Sequence, residues 1–266
     1  AAALSSKRQA LCPVGAISCG MSLKVVWLEE EGVAGTPCFV AFPGVGDIGV
    51  LTAELLTQLL PSRTVAHALD PSLPPLAQLD DNGVLKPPHH RLVRLESAAG
   101  PAHVLIGAAQ SNHPHLQHAT AVGLLDALQG ATEVVGLAGF RAPAEDRRTF
   151  WVATSSEDLE SFEADGRTVS RTEPSAGCIG ALALLVSLAP HHGLSGSLAV
   201  STTVGESRDP SAAQRLAKML DSTFGLGMGD MPNVDEHLRS LLEARAPRVV
   251  QDHISELMEQ PDAFYA

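Results

Sequence analysis

The sequence predicts an α/β fold, an αβα sandwich followed by a small helical subdomain, and three observations carry that expectation. Short β-rich runs alternate with apolar-periodic stretches of 10 to 15 residues, the order that builds a largely parallel sheet covered on both faces. A chain of 266 residues with 45% hydrophobic side chains has enough apolar surface to bury a real core. From about Met231 the strand-like runs stop and only helical periodicity remains.

The elements follow in order. SLKVVWL and CFVAFP read as short strands, and GDIGVLTAELLTQLL as a helix with Asp47 placed to cap its start. RTVAHAL is a further strand. PSLPPLAQLDDNGVLKPPHH, rich in Pro, Asp, Asn and Gly, reads as a surface excursion with a hairpin turn at Asn82-Gly83. RLVRL and HVLIGA are strands, HLQHATAVGLLDALQ a helix, TEVVGLAGF a buried strand and TFWVATS another. SAGCIGALALLVSLAPHHG reads as a buried helix ended by Pro190 and Gly193, SLAVSTTV as a strand, and DPSAAQRLAKMLDSTFG as a helix with Pro210 just inside its start. These elements make a sandwich domain over 21–230. PNVDEHLRSLLEARAPRVVQDHISELMEQ then gives two amphipathic stretches, with stripes at Val234, Leu238, Leu241, Leu242 and at Val250, Ile254, Leu257, Met258, a helical subdomain over 231–260. Pro261 stops the second helix, so 261–266, PDAFYA, is expected to project as an extended tail. Residues 1–20 are small, Ser-containing and free of acids, with Met21 behind them as a plausible start. They read as an N-terminal extension, disordered or processed, that carries no weight in the fold.

Charge and cysteine usage narrow the function. A net charge of −12 leaves no broad basic surface for nucleic-acid phosphates or anionic lipid. No apolar run reaches the roughly 18 to 20 residues that a membrane-spanning helix requires. Cys12, Cys19, Cys38 and Cys178 show neither disulfide nor metal spacing, which suits free thiols in a reducing compartment such as the cytoplasm, or an organelle if 1–20 is a targeting remnant.

Four constellations can bear chemistry. Gly44, Gly46 and Gly49 form a G-x-G-x-x-G between a strand and a helix, with Asp70 closing the next strand. That is the spacing of a nucleotide site, with NAD or ATP as ligand: the glycines admit a pyrophosphate to the helix N-terminus and the acid holds ribose hydroxyls. The same glycines equally suit a tight strand-to-helix turn that needs only positive φ or close packing. His113, His115 and His118 crowd one short stretch, yet no carboxylate or cysteine completes a zinc spacing, and a polar loop entering a helix accounts for them better. Ser111 and Ser201 follow strands but sit in no G-x-S-x-G elbow, and Cys178 at the mouth of an apolar helix reads as a small core residue. Finally, the chain's one tyrosine, Tyr265, stands between Phe264 and Ala266. A terminal carboxylate, an aromatic ring with a hydroxyl and an apolar neighbour form a compact recognition group.

Four stretches carry a likeness to a known family: FPGVGDIGVLTAELL, then VLIGAAQSNHP, then VVGLAGFRAP with FWVATSSED, then PSAGCIGALALLVSLAPHHGLSGSLAVSTTVGESRDPSAAQRLAKMLDSTFGLGM. In this order the chain from about Gly35 to Gly229 resembles the proteasome assembly chaperone family, in its archaeal and bacterial branch, often labelled as ATP-grasp superfamily proteins. FRAPAEDRR departs from the glycine-rich turn common at that place in relatives, and STTVGESRDP is altered within its loop. The resemblance implies a phosphorylase- or hydrolase-like sandwich, self-association into homo-oligomers, and no cofactor or catalytic residue. It also implies that a hydrophobic-Tyr-any ending, here Phe264, Tyr265 and Ala266, docks on the α subunits of the proteasome core particle. Under it, the glycine motif becomes a family turn.

Overall fold

In the computed structural model the described residues are 22–229 and 237, apart from 31, 80, 81, 112, 176, 206 and 207. The chain passes through β1 (Lys24–Trp27), β2 (Pro37–Ala41), α1 (Ile48–Leu59), β3 (Ser62–Leu69), β4 (Gln78–Leu79) and β5 (Leu85–Lys86). It continues through β6 (His90–Ser97), β7 (Gly100–Ile106), α2 (Pro114–Ala127), β8 (Glu133–Arg141) and β9 (Thr149–Ala153). The last elements are α3 (Ser156–Ala164), α4 (Ala181–Leu188), β10 (Ser195–Thr203) and α5 (Pro210–Phe224). The expected N-terminal extension 1–20, helical subdomain 231–260 and tail 261–266 lie outside the described residues, save 237.

One sheet runs in the order β1-β3-β6-β7-β2-β8-β10-β9. Its centre is parallel: β2 pairs with β7 and β8, and β8 with β10. The flanks are antiparallel, in the pairs β1–β3, β3–β6, β6–β7 and β9–β10. The expected parallel sheet is therefore confined to the four central strands. Connection length explains one of the antiparallel pairs. Helices carry the chain from β2 to β3 and from β7 to β8, whereas β6 and β7 join through Ala98-Ala99 alone, with Ser97 opposite Gly100. So short a link permits only an antiparallel pair.

Helices cover both faces. On one, Leu55, Leu56, Leu216 and Leu220 of α1 and α5 pack with Phe39, Val135 and Trp151 of the sheet. On the other, Leu124, Leu125, Leu185 and Val186 of α2 and α4 pack with Val40, Val134 and Val200. Burying so many branched and aromatic side chains on both sides at about 25 cal/mol per Å² is the main stabilising term, and it explains why the central strands read as unbroken apolar runs.

Local signals set several helix ends. Asp209 caps α5 by accepting from the Ala212 amide at 2.9 Å, Pro210 opens the helix, and Gly225 at φ +62° closes it. The proline-rich excursion holds the expected hairpin, β4 against β5, with Gly83 at φ +74°. Two expectations need correcting. Asp47 does stand at the N-cap of α1, but its side chain makes no capping bond; instead it accepts from Arg208 Nε at 3.2 Å. The helix read from SAGCIG onward begins only at Ala181. One helix, α3, was not anticipated. Ser155 caps it, accepting from the Asp158 amide at 3.0 Å, and Phe162 is its one buried side chain. Arg167 lies across both Phe162 and Trp151, 4.4 Å and 5.2 Å from their ring centres.

Candidate functional site

The carboxyl ends of the parallel strands gather the segments that can meet a ligand. After β2 the chain turns through Phe42-Pro43-Gly44-Val45-Gly46-Asp47 into α1, and Gly46 at φ +63° makes the turn. Asp47, at φ +50°, is the one residue with a side chain in that left-handed region among the described residues. Gly49 has no room for a Cβ, which would overlap the Leu137 carbonyl of β8. Gly139 of β8 is equally bare, because the Val45 carbonyl lies against it. Gly44 is extended and uncrowded. The turn is also fastened from outside, since the Asp209 amide donates to the Gly46 carbonyl at 3.0 Å. Thr203 Oγ1 donates to Asp209 Oδ2 at 2.7 Å, tying the same junction to β10. The glycines thus bring the backbone against its own neighbours.

Asp70 lies elsewhere. β3 is separated from β2 by β6 and β7, so three strand spacings of about 4.8 Å put Asp70 roughly 14 Å from the glycine turn. In a dinucleotide fold the two strands are neighbours. The carboxylate is also occupied: it accepts from Thr120 Oγ1 at 2.5 Å and from the Ser72 amide at 2.8 Å, and His90 Nε2 lies 3.2 Å from it. His90 Nδ1 accepts from the Ala108 amide at 3.2 Å, so Nε2 carries the proton and donates to Asp70. Burial alone would raise the Asp70 pKa; the bonds from His90, Thr120 and Ser72 outweigh it and hold the group at about 2. The residues of the nucleotide reading are therefore not brought together.

The other candidates have ordinary settings. His113 and His115 are exposed at the start of α2, ring centres 5.7 Å apart, with His118 exposed one turn on. Among the described residues no three His, Cys, Asp or Glu side chains are grouped to hold a metal ion. Ser111 accepts from the His113 amide at 3.2 Å, and Ser201 is buried within β10. Cys178, expected in the core, is exposed on the loop before α4, and desolvation of its thiol raises the pKa rather than lowering it. Burial pushes the Cys38 thiol up to about 12. Phe264, Tyr265 and Ala266 lie outside the described residues.

One feature escaped the sequence. A cavity of about 540 Å³ opens beside the glycine turn, between β8, β10 and the first turn of α4, with Pro174, Ser175, Gly177, Cys178 and Ile179 also on its wall. Gln110, after β7, fastens it: Nε2 donates to the Pro43 carbonyl at 2.6 Å, and Oε1 accepts from the Ala181 amide at 2.8 Å. Gly180, at φ +113°, stays bare because a Cβ would overlap that same oxygen. No spacing rule links Phe42, Gln110, Arg141 and Leu182, which only the fold brings to one wall.

The PAC2 family model matches residues 38–243. No curated protein matches the chain. Among solved structures it is similar to Pyrococcus furiosus PbaB, described as an archaeal proteasome activator, with a TM-score of 0.72 and 20% identity, over 85% of this chain and 98% of that one. It is likewise similar to Pyrococcus furiosus PbaA, described as an archaeal homolog of proteasome-assembly chaperone, with a TM-score of 0.69 and 20% identity, over 84% and 94%. A Mycobacterium tuberculosis proteasome-assembly chaperone homologue, Rv2125, gives a TM-score of 0.55 and 17% identity, over 83% and 99%. With the family match spanning most of the length, and the helices and sheet in the same arrangement as these neighbours, the chain belongs to the PAC2 family.

Proposed function

We propose that the chain is a proteasome-assembly-chaperone-like protein that acts by binding rather than catalysis. It docks on the α-ring of the proteasome core particle through Phe264, Tyr265 and Ala266, aiding assembly or gate opening. The observation that carries this is family membership, joined to two archaeal neighbours described as a proteasome activator and a chaperone homolog. The hydrophobic-Tyr-any ending supplies the means. A basic residue in an α-subunit pocket pairs with the carboxylate, and the ring fills an apolar slot while its hydroxyl finds a backbone partner. One such tail binds weakly, and several on a homo-oligomer gain effective concentration. The net charge of −12 suits a protein partner with basic pockets rather than nucleic acid. We place the protein in the cytoplasm, or in an organelle if 1–20 is a targeting remnant.

The test is binding of the full chain to purified core particle. Removing the last three residues, or replacing Tyr265 by Ala, is expected to abolish association in a pull-down or by surface plasmon resonance. Undiminished binding by the truncated chain would sink the tail mechanism. The nucleotide reading gains nothing from the geometry, since Gly49 packs on Leu137 and Asp70 is bound within its own network.

A further inference from the structure

We propose that the cavity between β8, β10 and α4 is a binding site for a small apolar monocarboxylate. The hydrocarbon body lies against Phe140, Leu182, Leu198 and Val200, and the carboxylate pairs with Arg141. This site is separate from the proteasome-docking tail.

Size and position come first. About 540 Å³ lies within the range of small-molecule pockets, roughly 300 to 1,000 Å³. α1 leaves the end of β2 toward one face and α2 leaves the end of β7 toward the other, so the cavity adjoins a topological switch point, where open α/β sheets receive ligands. The wall is mostly apolar, and Ile179 on it is 96% exposed, a large side chain with nothing over it among the described residues.

Charge then selects the ligand. Among the described residues no Asp or Glu lines this cavity, and the one ionised group on its wall is Arg141. Arg141 is exposed, and among the described residues its side chain has no hydrogen bond or ion pair. Its planar fork matches a carboxylate with two parallel bonds. The first turn of α4 lines the same wall through Leu182 and Ala183, whose amides have no intrahelical acceptor and favour negative charge. A single cation suits a single negative charge. Nucleotides would bring several phosphate charges to one arginine, and a cationic ligand would meet no acid among the described residues.

The experiment is isothermal titration of the full chain with indole-3-propionate and, separately, with its neutral amide, indole-3-propanamide. The acid is expected to bind at least tenfold more tightly than the amide. Arg141→Gln, an exposed change that spares the core, is expected to bring the acid down to the affinity of the amide. Ala183→Trp, which fills the cavity, is expected to abolish both. Equal affinity for acid and amide, no loss with Arg141→Gln, or no heat with either ligand at millimolar concentration each overturns the proposal. Core-particle binding by the Arg141→Gln chain is expected to be unchanged, which separates this site from the tail.

Discussion

Two regions share the carboxyl ends of the same parallel strands and differ in what fills them. The glycine turn is packed shut: Gly49 presses on the Leu137 carbonyl, the Val45 carbonyl presses on Gly139, and Asp209 and Thr203 lock the turn from outside. A few residues away, the space beneath α4 is hollow, apolar and open at one side. In both, glycine removes a side chain so that something can come close. At the turn that something is the protein's own backbone, so a motif shared with nucleotide sites here serves helix-to-sheet packing.

The sharpest way to break this contrast is Gly49→Ala. Its methyl meets a backbone carbonyl that cannot step aside, so a loss of about 3 kcal/mol is expected. Thermal unfolding is expected roughly 6 to 12 °C lower. An unchanged melting temperature would show that the turn has slack and could open to a ligand. Next comes the buried network at the end of β3. The Asp70 pKa lies at about 2 when folded and near the ordinary 3.9 when unfolded, so its contribution is fully present above about pH 4 and lost as pH falls toward 2. Asp70→Asn is expected to cost about 2 kcal/mol at pH 7, and urea melts at pH 7 and 2.5 should show a smaller acid loss in the variant. An equal acid loss in both would place the sensitivity elsewhere. The smallest effect belongs to Gln110→Ala, which removes both bonds that fasten α4 to the loop after β2. About 1 to 2 kcal/mol is expected, with faster amide exchange at Ala181 and none of that change at Asp47. Faster exchange at Asp47 as well would show that turn and cavity open as one unit.

Much of the fold was legible from periodicity. Continuous apolar runs gave the central strands, and Asp209-Pro210 with Gly225 gave the bounds of α5. Periodicity does not say which strands pair, so the antiparallel pairing of the flanking strands was missed, and with it the distance between Asp70 and the glycine turn. α3 was missed because SEDLESFEA buries only Phe162; the signal that marks it is Ser155 three residues before Asp158. The cavity was illegible because its wall is drawn from segments far apart in the chain. The tail is the opposite case, a short motif read entirely from residue identity.

The stacking of Arg167 over Trp151 has an optical consequence. Trp151 is 1% exposed with a guanidinium on its face, whereas Trp27 on the edge strand is 38% exposed, and these are the chain's two tryptophans. Acrylamide reaches one indole and not the other in the native protein, so a single emission spectrum contains a core gauge and a surface gauge. Loss of the shielded component reports melting of the sandwich, while the quenchable component reports whatever comes to lie over β1, without any added label.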